Sequence, residues 1–276
     1  MIINGSTLLV GVIADPIAHI KTPEVLNLSA AKQGLNVACI PVHVSPKNLA
    51  ATLNGLKGVN NLAGIVVTIP YKEEVVQLCD RLTDTATLVG SVNALRSDPA
   101  TGELIGGNFD GEGMVAGIKG QGHTLKGKRV LLIGAGGAGK SIAFSVAQES
   151  PSELAIYNRS PARSTALIAR IQDLFPAVSV TSGSINPSGF DVVINATSLG
   201  LNDDDALPLD VKNLSAQTLV CEVVVRHGDT RLLAMARERG CIVHQGQHML
   251  YGQILQICQF FGIELQEQNV ARILGN

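Results

Sequence analysis

Tryptophan is absent from the 276 residues, and three tyrosines with six phenylalanines are the whole aromatic complement. The formal charge is only -2, and no segment carries a stripe of lysine or arginine. Both the stacking platform and the electrostatic footprint of a nucleic-acid binder are therefore missing. No apolar run approaches the roughly 20 residues needed to span a bilayer. The opening Met1-Ile2-Ile3-Asn4-Gly5 lacks the basic stretch of a secretion signal, so the expectation is a cytoplasmic chain with no membrane partner. Cys39, Cys79, Cys221, Cys241 and Cys258 form no C-x-x-C pair, and the six histidines show no H-E-x-x-H spacing. These patterns point to reduced core thiols and to no metal. What the chain has in quantity is apolar side chain, with a mean hydropathy of +0.27, enough at this length to fill two cores.

Short apolar runs alternate with longer segments of helical period, which predicts an α/β fold with mostly parallel sheets covered on both faces. In the first part, strands are expected at 7–13, 37–44 and 64–69. Helices are expected at 46–56 and 72–79, and another from Thr22, read as an N-cap before Pro23, to 33. A hairpin joins 92–96 to 103–105 around the turn residues 98–102. After a helix at 111–119 and a polar connector, a βαβ series begins. Its strands are expected at 129–133, 154–157, 178–181, 191–195, 219–223 and 241–244. Its helices start at 137, 161 and 230, and two more, 248–261 and 266–274, close the chain. The domains expected are a substrate-binding and catalytic one over 1–109 and a doubly wound Rossmann domain over 110–246. The C-terminal helices, 247–276, are expected to return to the first.

The strongest local signal is Gly134-Ala135-Gly136-Gly137-Ala138-Gly139. A lone G-x-G-x-x-G is weak, but here the apolar strand Val130-Leu131-Leu132-Ile133 precedes it and a helical pattern follows at once. Gly134 permits the tight turn, Gly136 lets backbone approach a pyrophosphate, and Gly139 lets helix pack on strand. The helix N-terminus adds N–H groups and partial positive charge. A nicotinamide dinucleotide is the expected ligand. Cofactor choice is read at the end of the next strand, where NAD enzymes place an acid for the ribose 2′-hydroxyl. Asn158-Arg159-Ser160, with Arg163 one turn on, offers guanidiniums and a hydroxyl instead, and these suit the 2′-phosphate of NADP. NAD stays open as the alternative.

Two further groups are individually ambiguous. Lys72 follows a predicted parallel strand at the edge where α/β sheets bind ligands, yet a lysine there is commonly a surface charge. Asp110 precedes a predicted helix, where a plain N-cap is the ordinary reading.

A series of motifs resolves both. Asp15-Pro16-Ile17-Ala18-His19, Val67-Thr68-Ile69-Pro70-Tyr71-Lys72-Glu73, Gly90-Ser91-Val92-Asn93 and Asn108-Phe109-Asp110-Gly111-Glu112-Gly113 occur in that order. The glycine turn, Asn195-Ala196-Thr197-Ser198-Leu199-Gly200 and Met249-Leu250-Tyr251-Gly252-Gln253 follow. Together they resemble the serial motifs of the shikimate dehydrogenase family over nearly the whole chain. The resemblance implies an NADP-dependent alcohol dehydrogenase with Lys72 and Asp110 as the catalytic pair. It places Thr68, Asn93 and Gln253 on substrate hydroxyls, and Thr197 and Ser198 beside the cofactor. It also implies a place in aromatic amino acid biosynthesis or quinate-type catabolism, in a monomer or homodimer. The chemistry fits those residue types, since oxidising an alcohol needs a base for the hydroxyl proton while hydride leaves for the cofactor.

The chain departs from the family's pattern at one end of the substrate pocket. Where the family has two serines gripping the substrate carboxylate, Ile20 and Thr22 stand here. Val66 replaces a usual asparagine, Phe109 a usual threonine and Val225 a usual tyrosine. Each lost hydrogen bond to a charged group is worth roughly 1.5–3 kcal/mol, and Ile20 and Val225 would desolvate a carboxylate without pairing it. The expectation is a cyclic hydroxy substrate altered from shikimate. Two alternatives stand beside it. One is a genuine shikimate or quinate dehydrogenase whose carboxylate site is rebuilt by Lys21, Arg226 or His227; the other is a non-catalytic dinucleotide-binding sensor.

Overall fold

The structure, a computed structural model, describes residues 2–18, 20–226 and 228–266. The helix expected at 266–274 lies, but for its first residue, outside them, as do His19 and His227. The chain divides into two compact units, Met1–Phe109 with the segment from Gln253 onward, and Asp110–Gly252.

The first unit holds a mixed six-stranded sheet. Its strands are β1 (Leu8–Ala14), β2 (Val37–His43), β3 (Leu62–Val67), β4 (Arg81–Leu82), β5 (Ala94–Ser97) and β6 (Leu104–Gly107), in the order β2-β1-β3-β5-β6-β4. β1 runs parallel to β2 and β3, whereas β5 is antiparallel to both β3 and β6. The expected hairpin is thus β5–β6, and its first strand also reverses against β3. Helices α1 (Thr22–Gln33), α2 (Leu49–Leu56) and α3 (Asp84–Val89) belong to this unit. Ile13, Leu49, Leu53, Ile65, Val67, Tyr71, Val75 and Leu95 form its core, each at most 3% exposed.

Several local expectations are corrected here. Thr22 is not a cap: the backbone is already helical at Lys21, so Thr22 lies inside the first turn and is buried. The segment from Pro46 opens as a 3₁₀ turn, Pro46–Asn48, before α2 begins. The helix expected at 72–79 is a 3₁₀ turn over Glu74–Leu78, after which Cys79 turns extended toward β4. The β-branched pair Val75-Val76 disfavours a full α-helix in so short a span. β4 and α3 went unseen in the sequence. A two-residue strand carries no period, but α3 does carry signals: Thr83 accepts the Ala86 N–H as N-cap, and Gly90 closes the helix at φ 64°.

The second unit is built on strands β7 (Arg129–Ile133), β8 (Glu153–Tyr157), β9 (Val180–Ser182), β10 (Val192–Asn195), β11 (Leu219–Glu222) and β12 (Ile242–His244). All pair in parallel, in the order β12-β11-β10-β7-β8-β9. Numbered from β7 this is 3-2-1-4-5-6, the doubly wound order, with the switch in winding between β7 and β10. The helices are α4 (Asp110–Gly120), α5 (Gly137–Gln148), α6 (Pro161–Leu174), α7 (Arg231–Glu238) and α8 (Gly246–Phe260). The unit boundary falls inside α8, after Gly252. Burial on both faces explains the continuous apolar strands, as at Val130, Leu131 and Leu132, each 0% exposed. Among the described residues no helix is long and apolar enough to cross a membrane.

Candidate active site

The carboxyl end of β7 carries the glycine turn. Gly134 adopts φ +110°, a region that L side chains avoid, and its N–H bonds the Tyr157 carbonyl at 2.8 Å. A Cβ on Gly139 would stand 2.2 Å from the Gly134 carbonyl oxygen, so only glycine lets α5 start this close to the strand. A Cβ on Gly136 would meet nothing within 4 Å, leaving open the backbone face a pyrophosphate would need. Gly137 and Ala138 form the first turn of α5, whose N–H groups have no partners within the helix. These features fit a dinucleotide phosphate. Asn158 fastens the turn to the next loop: its Oδ1 accepts the Ala135 N–H at 3.0 Å and its Nδ2 donates to the Ser160 carbonyl at 3.0 Å.

Arg159, Ser160 and Arg163 are exposed at the start of α6. Among the described residues Arg159 has no ion pair, while Glu153, at the other end of β8, is held by Arg129 at 2.8 Å. Beside β7, the buried Asn195 on β10 accepts from both the N–H (3.1 Å) and the hydroxyl (2.7 Å) of Thr197. Its Nδ2 also donates to the Leu199 carbonyl. Thr197 and the exposed Ser198 are thereby set at the carboxyl edge of the sheet.

In the first unit, main-chain bonds draw the sequence-selected residues together. The Val67 N–H donates to the Asn93 carbonyl at 2.8 Å and the Val92 N–H to the Lys72 carbonyl at 2.8 Å. The Thr68 N–H donates to Ile13 and the Asp15 N–H to Ile69, which join the 13–15 and 68–69 segments. Asn93, 2% exposed, donates through Nδ2 to Gln253 Oε1 at 3.0 Å, and its Oδ1 accepts the Phe109 N–H at 3.0 Å. Lys72, half-buried, follows Tyr71, which is 0% exposed and donates its hydroxyl proton to the Val44 carbonyl. Sequence reasoning missed this anchor; its signal was a lone tyrosine beside a proline in a polar motif.

The departures sit as follows. Thr22 and Val66 are buried and Ile20 is half-buried. The Phe109 ring lies 5.4 Å from that of Phe260, over which the Arg96 guanidinium sits at 5.1 Å. In the second unit Val225 is half-buried, and Asp110 is 1% exposed as the first residue of α4. The Gly111 N–H beside it bonds the Ser141 hydroxyl of α5 at 2.8 Å. Two of the three residues proposed to rebuild an acid site meet carboxylates of this chain: Arg226 lies 2.8 Å from Asp203, and Lys21 lies 3.3 Å from Glu24.

Two buried titratable groups were also missed. Burial pushes the Glu222 carboxyl up to about 8, against a Thr230 hydrogen bond that lowers it. Burial, with His248 alongside, pulls His244 down to about 4. A glutamate in Leu-Val-Cys-Glu-Val-Val-Val was the available signal for the first.

The shikimate dehydrogenase substrate-binding domain model matches residues 12–95, and the shikimate/quinate 5-dehydrogenase model matches 117–201. A Rubrobacter xylanophilus shikimate dehydrogenase (NADP(+)) is 37% identical over 255 residues, 91% of this chain and 89% of its own. The chain belongs to the shikimate dehydrogenase family. This is a family of oxidoreductases acting on CH–OH groups, as the motif series implied. A shikimate dehydrogenase solved in complex with NADP+ superposes with a TM-score of 0.88 at 27% identity, covering 98% of this chain and 96% of that one. A 5-ketofructose reductase of a Gluconobacter strain superposes at 0.84 with 30% identity, covering 99% of both chains.

Proposed function

We propose that the chain is an NADP-dependent oxidoreductase interconverting an alcohol and a ketone on a cyclic, hydroxyl-rich compound altered from shikimate. One contrast carries this reading. Thr68, Lys72, Asn93 and Gln253, the polar set for a hydroxyl and its proton, are gathered in the first unit. Ile20 is apolar where the family has a serine gripping the acid and Val225 where it has a tyrosine near that acid, while Val66 and Phe109 are apolar where it has an asparagine and a threonine. The Gluconobacter relative supports it, since its name gives a neutral ketose as substrate.

In this reading Lys72 takes the hydroxyl proton, with Asp110 orienting it or sharing the proton, while Thr68, Asn93 and Gln253 hold neighbouring hydroxyls. Gly134 to Gly139 cradle the pyrophosphate, Asn158, Arg159, Ser160 and Arg163 hold the 2′-phosphate, and Thr197 and Ser198 flank the nicotinamide half. The bound cofactor supplies the hydride acceptor or donor. The names of the curated relatives favour a second reading, a genuine shikimate or quinate dehydrogenase. The engagement of Arg226 by Asp203 and of Lys21 by Glu24 weighs against the acid site it needs.

Purified protein assayed with NADP+ and NAD+ against shikimate, quinate and neutral cyclic polyols separates the two. Turnover of a neutral polyol with NADP+, and weak or no turnover of the acids, is expected. Saturable shikimate turnover at an ordinary KM would establish the second reading instead.

A further inference from the structure

Glu222 is the last residue of β11 and is 1% exposed. It pairs in register with Asn195 of β10, the residue that fastens the Thr197 loop. In a doubly wound sheet, ligands lie outside the carboxyl ends of the strands, and the half beyond the switch point takes the second mononucleotide. For the proposed cofactor that half is the nicotinamide, whose ring carries a positive charge when oxidised and none when reduced. The glycine turn on β7 directs the phosphates to this same edge, and β10 and β11 follow it in the sheet.

The geometry points to Glu222 as the residue that distinguishes the two oxidation states: its carboxylate favours the cationic nicotinamide, so that binding the oxidised cofactor expels a proton from Glu222. The change is a simple ionisation, a protonated carboxyl going to carboxylate with the proton delivered to solvent, and no bond in the cofactor is altered. The inference rests on the NADP reading above.

The surroundings of Glu222 leave it free to make this change. Its Oε2 accepts the Thr230 hydroxyl proton at 2.9 Å, and Thr230, 0% exposed, itself accepts the Leu233 N–H as the cap of α7. From the β11–α7 loop it faces Asp229 and Arg226. Asp229 is held by Arg237 of α7 and by Gln245, while Arg226 is held by Asp203. On its own strand the neighbour is the buried thiol Cys221, which pairs in register with His244 of β12. β10 presents the uncharged Asn195. Among the described residues no cation is committed to Glu222 at hydrogen-bond distance, and a charge arriving at the sheet edge is the partner the inference assigns it. Burial already pushes the carboxyl up to about 8, within reach of such a partner near neutral pH.

Calorimetric titration of the whole protein with NADP+ and with NADPH, in buffers of different ionisation heat, counts the protons exchanged. Near pH 7.5 NADP+ is expected to release a substantial fraction of a proton more than NADPH does. The ratio of the two dissociation constants should shift toward NADP+ by roughly tenfold between pH 6.5 and 9, a change of about 1.4 kcal/mol in relative affinity. The 2′-phosphate titrates equally in both forms and cancels from the ratio. Glu222→Gln, which keeps an acceptor for Thr230, should bind both forms with equal proton counts and a pH-independent ratio. Equal proton counts for the two forms in the wild type overturn the inference even if the variant fails to fold, and an excess of proton release with NADP+ surviving in Glu222→Gln overturns it as well. Binding of either form is itself the check on the dinucleotide reading; absence of both sinks the two together.

Discussion

In the proposed reading, the elements of the second unit that face the cofactor are largely backbone: a glycine turn, the first turn of α5, and loops pinned by Asn158 and Asn195. In the first unit they are side chains, assembled from segments as far apart as Asn93 and Gln253, 160 residues along the chain. The difference shows which changes each half tolerates. A backbone cradle depends on where glycine stands and recognises phosphate in any relative that keeps it. A side-chain pocket can exchange Ile20 or Phe109 for a polar group while β1, β3 and β5 stay in place.

The largest expected break in this comparison is at Lys72. Lys72→Ala should lower kcat by about 10² to 10⁴-fold, the usual worth of general acid–base help, with NADP+ affinity unchanged by titration. A loss under tenfold on an active substrate would remove Lys72 from the chemistry.

Next is the pH response of the second unit. His244 is pulled down to about 4 in the fold, while an unfolded histidine protonates near 6.5. Its neutral form therefore adds stability above that value, and this is lost as pH falls from there toward 4. Urea unfolding should show about 2 kcal/mol of the loss by roughly pH 5, and His244→Leu should flatten that part of the profile. An unchanged slope in the variant would assign the acid sensitivity elsewhere.

Arg159→Ala should weaken NADP+ by about ten- to a hundredfold and NAD+ by much less, the worth of one charge-assisted contact to the 2′-phosphate. Equal weakening of the two would show that the guanidinium does not read that group. The smallest effect expected is a gain. Ile20→Ser returns a hydroxyl to the altered end and should improve kcat/KM for shikimate by about tenfold, with activity on a neutral polyol falling in step. No change in either would detach Ile20 from substrate choice.

How far the amino-acid pattern reveals these features follows the same division. β7 and the start of α5 were legible to the residue, because a buried parallel strand must be apolar throughout and the turn after it must be glycine. α1 was legible in extent but not in its cap. Thr22 precedes a proline, and only the backbone angle at Lys21 decides that it lies inside the helix. β4 was invisible, since two residues show no alternation. Lys72 and Asp110 stood out only through the motif series, because a lone lysine after a strand and a lone aspartate before a helix serve ordinary structural ends. Glu222 and His244 owe their properties to burial by segments distant in sequence, which no local window records.

Tyr71 ties the Lys72 segment to the interior. Its ring lies among the first unit's core side chains and its hydroxyl is committed to Val44. The lysine proposed as the base therefore inherits its place from the stability of the domain, and a lineage cannot shift it without first weakening the fold. Ile20 and Phe109 are half-buried, so selection can rewrite them at little cost to the whole. Among descendants of such a chain, the reaction should persist while the compound it is performed on drifts.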